Sequence, residues 1–453
     1  MRSNTHPVSS RAARFVLQRP AACGLAAALA AAPGAAAQCS PAWDTAVGNP
    51  GAGTGYVGAI LPWDDGVGTP GEDLYAGGSF EQIGGQNRRA IARWNKAANT
   101  WSTLGPGIIQ ENTTFVAALA AYNAGGGEQL IVGGAFGSGG GVPGTKSMAR
   151  WNGTSWSATG SQFVQNTADS VWALKVWNGK LYVGGGFANV GGVVGANGIA
   201  SWDGVTWAPL GSGITGTFSP VVFKLEVFND GTGEALYAAG RFAGVGGVPN
   251  TALIARWNGA AWSVVGPGLF PSSALTGVEA MAVYDAGGGP ALFVGGNPFI
   301  PSGQPTASVA SWNGAAWTTI GQNLGGRTTC LAAFDDGSGA GPQLYNGGTA
   351  QPAINYIARY VGGQWVTVDG GVTGTSLPSF PGGAGSFPSV FSMGEWDDTL
   401  YVGGNFTVIG GLNSNGLVAR TSCPSCYADC NASGNLTVAD FGCFQGKYVL
   451  GCP

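Results

Sequence analysis

The sequence predicts an all-β fold, a seven-bladed β-propeller of four-stranded blades, and three observations carry that prediction. The first is composition: 453 residues with 83 Gly, 16 Trp, 12 Tyr and 20 Phe, but only 9% charged side chains, describe a chain dominated by turns and aromatic packing. The second is repetition. One unit recurs at Leu74, Leu130, Leu181, Leu236, Leu292, Leu344 and Leu400, in steps of 51 to 56 residues, which leaves room for four short strands and is too long for leucine-rich or tetratricopeptide repeats. The third lies at the ends. The last unit stops at Arg420, one strand short, whereas Trp43-Asp44-Thr45-Ala46-Val47-Gly48 reads as the missing strand, so an N-terminal strand is expected to close the last blade.

The strands follow in order within each unit. The first is a small-residue strand ending in an aromatic, as in VAALAAY up to Tyr122 or VEAMAVY up to Tyr284. A turn rich in Gly, Asp and Asn follows, such as Asp335-Asp336-Gly337. The second strand reads LYVGG and the third IARW; the fourth begins at the next Trp. Turns such as Asn152-Gly153 join the last two, and Asn-Gly is a strong hairpin signal.

Ahead of the repeats, Arg2, Arg11, Arg14 and Arg19 form a basic region, Ala21 to Ala32 a weak apolar one, and Ala35-Ala36-Ala37 a small-residue cleavage site. Residues 1–37 are therefore expected to be a signal peptide, 38–422 the propeller and 423–453 a separate tail, in a secreted or cell-surface protein without a membrane span. Without the leader, 15 basic residues face 23 acidic ones, a net charge of −8 that disfavours nucleic acid as a partner. The single histidine, His6, leaves with the leader, which removes imidazole-based triads and His-ligated metals from the options.

Seven cysteines remain after cleavage, and exported cysteines normally pair. Cys39 and Cys423 fall in the same predicted turn of the last blade and are expected to bridge it, with Cys426 the competing partner. Cys330 replaces an alanine of other first strands and reads as a packed free thiol. In the tail, Asp429 to Asp440 fit a twelve-residue calcium loop with side-chain ligands from Asp429, Asn431, Ser433 and Asp440, the carbonyl of Asn435, and Gly434 at the sharp turn. The alternative is a disulfide-stapled stub in which Cys426, Cys430, Cys443 and Cys452 make two bridges.

The double Gly after an apolar strand, followed by paired Trp around a turn as in Trp94 and Trp101, resembles the kelch motif over residues 40 to 422. The tail CPSCYADCNASGNLTVADFGCFQGKYVLGC resembles the cysteine-containing dockerins at the ends of secreted bacterial proteins of the GC-type dockerin-anchored kind. That resemblance implies Ca²⁺ in the loop, a short α-helical segment and a cohesin-like or surface receptor; dockerins usually carry two loops and this chain shows one.

Residues that repeat read as architecture. Arg93, Arg150, Arg256, Arg359 and Arg420 share one position, and Phe80, Phe136, Phe187, Phe242 and Phe406 another; both sets are expected to pack between blades. Lys175 and Glu226 interrupt a position held elsewhere by Ala120, Ala282 and Ala332 and are expected to pair across the channel. Function is sought where repeats disagree, in loops carrying Phe163, Phe218, Phe270, Phe380 and Phe387, as rings for stacking on a glycan or protein ligand. The resulting reading is a non-catalytic extracellular binding or scaffold propeller; the alternative is a carbohydrate-active enzyme using a carboxylate pair on that face.

Overall fold

In the computed structural model the described residues are 41–48, 51–66, 73–109, 114–160, 163, 169–216, 219–338, 340–377 and 387–422; the predicted leader and the whole cysteine-rich tail lie outside them. Among them there is no α-helix, and Ala46–Gly48 and Pro352–Ile354 are single 3-10 turns. The remainder is antiparallel β-structure made from one pattern, used seven times. In the third unit, Ser170–Trp177, Lys180–Gly186, Ile199–Trp202 and Trp207–Pro209 pair in chain order. Asn178-Gly179 joins the first two with φ of 47° and 72°, the pair of left-handed residues a two-residue hairpin requires.

The seventh unit takes its fourth strand from the other end of the chain. Ser389–Trp396, Thr399–Asn405 and Leu417–Thr421 are completed by Ala42–Asp44, with Trp43 opposite Arg420; Arg420 faces Leu400 as Trp94 faces Leu74, so it holds the third-strand tryptophan position, one residue on from the shared arginine position expected from sequence. The first strands of successive units pack side by side, and that of the seventh packs on that of the first, Tyr56–Trp63, so every unit has two neighbours.

The Gly-Gly pair explains how the units meet. An ideal Cβ on the first Gly would collide with a β-branched residue of the next unit: Gly77 with Val116 Cγ1 at 2.4 Å, Gly184 with Val222 Cγ1 at 2.6 Å, Gly403 with Val57 Cγ1 at 2.8 Å. The missing side chain is the socket for the neighbour's valine, and the last of these contacts links the seventh unit to the first. A second device uses the fourth-strand tryptophans. Trp101, Trp156, Trp207, Trp262, Trp317 and Trp365 each donate Nε1–H to a backbone carbonyl of the preceding unit, at 2.8–3.2 Å. Trp43, in the borrowed strand, has a buried Nε1 without a hydrogen-bond partner among the described residues. Trp156→Phe, which removes one of the two hydrogen bonds the Leu104 carbonyl accepts and leaves the one from the Gly107 N–H, should cost about 1 kcal/mol in urea unfolding, whereas Trp43→Phe, with no such bond to lose, should cost less.

The repeated phenylalanines are core residues, as expected; Phe80, Phe136, Phe187, Phe242 and Phe406 are all buried. Of the arginines grouped from sequence, three brace their own unit, whereas Arg150 and Arg420 do contact a neighbouring one. Arg93, Arg256 and Arg359 each pair with an aspartate in the first turn of their own unit, Asp65, Asp230 and Asp336, and the same aspartate accepts a hydrogen bond from the second-strand tyrosine, Tyr75, Tyr237 or Tyr345. Arg150 instead donates to Ser157 and lies over Trp202, while Arg420 reaches Asp336 and Asp369 of the preceding unit. The aspartate-rich turns thus brace their own units, and Asp336 also links its unit to the next through Arg420.

Candidate ligand site

In each of the seven first strands, pairing with the second strand slips by one residue, so one residue of the first strand has no partner. These residues are Gly58, Ala117, Trp172, Phe223, Glu279, Thr329 and Phe391. Such a bulge re-aims a side chain. The second Gly of each Gly-Gly pair makes it possible: a Cβ on Gly78, Gly134, Gly185, Gly240 or Gly296 would sit 2.0 Å from the first-strand carbonyl oxygen pushed inward there. The residue before the bulge is β-branched and fully buried in all seven units, from Val57 to Val390, with Thr328 in the sixth. The bulge residue itself differs from unit to unit.

All seven bulge residues line a single cavity of about 220 Å³, joined by Tyr56, Val116, Lys224 and Arg327. Every one of them lies in the first half of a first strand, so the cavity sits at the end of the circuit where those strands begin. Aromatic rings form much of its wall. Tyr56 and Phe391 meet at 4.9 Å between centroids, Trp172 stands edge-on to Phe223 at 5.6 Å, and Phe115, outside the lining, packs on Trp172 at 4.8 Å. Burial pushes the Tyr56 hydroxyl up to about 12, which keeps it a neutral donor at physiological pH.

Three charged groups complete the lining. Glu279 and Arg327 pair at 2.5 Å between neighbouring units. Lys224 makes no ion pair within 4 Å among the described residues; it is half-buried where it lines the cavity, and desolvation holds its pKa below the usual lysine value against the weaker opposing pulls of Cys330, Glu226 and Glu279. With Lys224 protonated, the lining carries a net charge of +1 in an acidic chain. Three residues further along the strands, about 10 Å, Lys175 and Glu226 form the predicted ion pair.

The residues singled out from sequence fall elsewhere. Phe163 is 4% exposed and packs edge-on against Phe187, which corrects its assignment to an exposed face. Phe270 and Phe387 are exposed, at 43% and 60%, but neither lines the cavity. Phe218 and Phe380 lie outside the described residues, as do the calcium ligands Asp429, Asn431, Ser433, Asn435 and Asp440 and the cysteines 39, 423, 426, 430, 443 and 452. Cys330 is a buried free thiol, as expected, pushed up to about 12 by burial. Sequence reasoning missed Lys224, yet a signal existed. Its position is held by Ala59, Ala118, Ala173, Ala280, Cys330 and Ser392 in the other units, and its cross-strand partner Ala239 replaces the Gly found there elsewhere.

No family model and no curated protein matches the sequence. Among solved structures, the extracellular domain of a hybrid two-component system from B. thetaiotaomicron is similar over 85% of this chain at 10% identity with a TM-score of 0.48, and this chain spans 41% of that one. The computationally designed protein Ika8 aligns over 82% of this chain and 95% of its own at 11% identity and a TM-score of 0.39. A structure of YCF48 bound to a D1 peptide aligns over 70% and 98% at 9% identity and a TM-score of 0.34. Among the described residues no helix is long and apolar enough to cross a membrane.

Proposed function

We propose that this chain is a secreted, non-catalytic binding protein: a seven-bladed, kelch-like β-propeller that takes its ligand in the axial cavity, with residues 423–453 as a dockerin-like, calcium-binding tail that tethers or targets it. One observation carries the reading. The residue before each bulge is Val in six units and Thr in the other, while the bulge positions, all seven of which line the cavity, carry Gly, Ala, Trp, Phe, Glu and Thr. A backbone device repeated seven times but loaded with different chemistry suits asymmetric recognition better than support. A carbohydrate-active enzyme would need two converging carboxylates; among the described residues lining the cavity, Glu279 is the single one, and Arg327 holds it.

The test is a glycan and peptide array probed with the full-length secreted protein, with and without Ca²⁺, alongside Trp172→Ala. Retained ligands should weaken about tenfold or more in the variant, as expected for loss of a stacking aromatic at a binding centre, and should be indifferent to chelation. Ligands bound equally by the variant would place recognition outside the cavity. Cleaved ligand would favour the enzyme.

A further inference from the structure

We propose that the axial cavity selects a monocarboxylate borne on a six-membered ring, with Lys224 receiving the carboxylate and the Trp172, Phe223 and Phe391 rings receiving the body; this rests on the cavity being the ligand site. Charge decides the first half. Glu279 and Arg327 neutralise each other, and so do Lys175 and Glu226 further along, which leaves Lys224 as the one unmatched charge among the described residues of the lining. A cation would meet that ammonium and a carboxylate already occupied by Arg327. A neutral ligand would seal the ammonium away from water with no counter-charge, which is costly. A monoanion supplies the missing charge, and its carboxylate oxygens accept hydrogen bonds from an ammonium that has three to give.

Shape decides the second half. Trp172 and Phe223 stand edge to face, and Phe391 and Tyr56 form a second aromatic pair, so apolar ring faces line the wall where a flat ligand can stack. The volume of about 220 Å³ is below the roughly 300–1,000 Å³ of drug-sized sites and suits one ring with its substituents. The departure at Lys224 is not shared: six other units fill the position with a small residue, and among the described residues the Lys224 side chain makes no hydrogen bond or ion pair.

Isothermal titration of the full-length protein at neutral pH with benzoate and glucuronate, against the neutral benzamide and glucose, tests this. At least one acid should bind about tenfold or more tightly than its neutral counterpart, and Lys224→Met should erase that preference while leaving binding of the neutral ring. A stronger response to benzoate identifies aromatic acids as the class; a stronger response to glucuronate identifies acidic sugars. Neutral probes bound as tightly as the acids, absence of binding by all four, or a Lys224→Met variant that keeps the preference would each overturn the proposal. Lysine Nζ NMR on the unmutated protein gives a second readout independent of variant folding: addition of the acid should raise the Lys224 pKa, and an unchanged value would overturn the assignment. Trp172→Ala separates the two levels. Loss of acid and neutral ligands alike, without any preference for acid, keeps the cavity as the site and removes the carboxylate; ligands indifferent to Trp172 remove the cavity itself.

Discussion

Gly240→Ala is expected to destabilise the protein by about 3 kcal/mol and to abolish ligand binding at the cavity. A Cβ at this position would lie 2.0 Å from the Val221 carbonyl oxygen and 2.9 Å from Val222 Cα. Both obstacles are backbone atoms, and they stand there because the first strand bulges between Val222 and Lys224. Making room therefore means undoing the bulge, which turns Phe223 and Lys224 out of the cavity. Two other glycines set the scale. Gly184→Ala meets only a side chain, Val222 Cγ1 at 2.6 Å, and the fourth unit already tolerates Ala239 at the corresponding place, so about 1–2 kcal/mol is expected. Gly247→Ala meets nothing within 4 Å and carries only the strain of its φ of 72°, about 1 kcal/mol. Urea denaturation of the three variants checks the order; a Gly240→Ala protein no less stable than Gly247→Ala would show that the bulge is not what the second glycine serves.

Much of this architecture is legible in the sequence because it is local or repeated. The unit length, the four strands and the borrowed N-terminal strand each leave a mark in the order of residues, and Trp43 does lie opposite Arg420. The Gly-Gly pair is visible too, but its reason is not. The first Gly answers a valine about 40 residues away in the next unit, and the second answers a carbonyl in the strand before it. The cavity is hidden for the same reason. Alternation in a strand predicts which side chains point together only while the register holds, and the bulge shifts the register once in every first strand. Phe163 shows the opposite error: an aromatic in a variable loop reads as exposed, and burial against Phe187 is the more favourable place for it. Lys224 stands out only against the other six copies of its position, two residues before the Glu226 that the same comparison singles out.

Asp336→Ala is expected to cost about 3–4 kcal/mol, because it removes the carboxylate between two guanidinium groups. Asp336 is 1% exposed, accepts hydrogen bonds from Arg359 at 2.7 Å and Tyr345 at 3.3 Å, and lies 3.8 Å from Arg420. Arg420 keeps Asp369 as a partner, so the loss falls chiefly on Arg359 and on the like charges left facing each other. Burial alone would raise the Asp336 pKa; hydrogen bonds from Ser338 and the charges of Arg359 and Arg420 outweigh it and hold the carboxyl below the usual aspartate value. A carboxyl depressed in the folded state stabilises the fold above its unfolded pKa, about 3.9, and loses that contribution as pH falls through the lower, folded value. Asp336→Asn, which keeps the shape but not the charge, should therefore lose stability at neutral pH and show a shallower decline in acid than the unmutated protein. Arg420 also lies over the Trp43 ring at 5.4 Å, opposite which the borrowed strand pairs. Weakening its anchorage should loosen that strand, so Asp336→Ala should speed limited proteolysis within residues 41–48. A variant within 1 kcal/mol of the parent, or an Asn variant with an unchanged acid limb, would show that the charge of Asp336 is not what joins the sixth unit to the seventh.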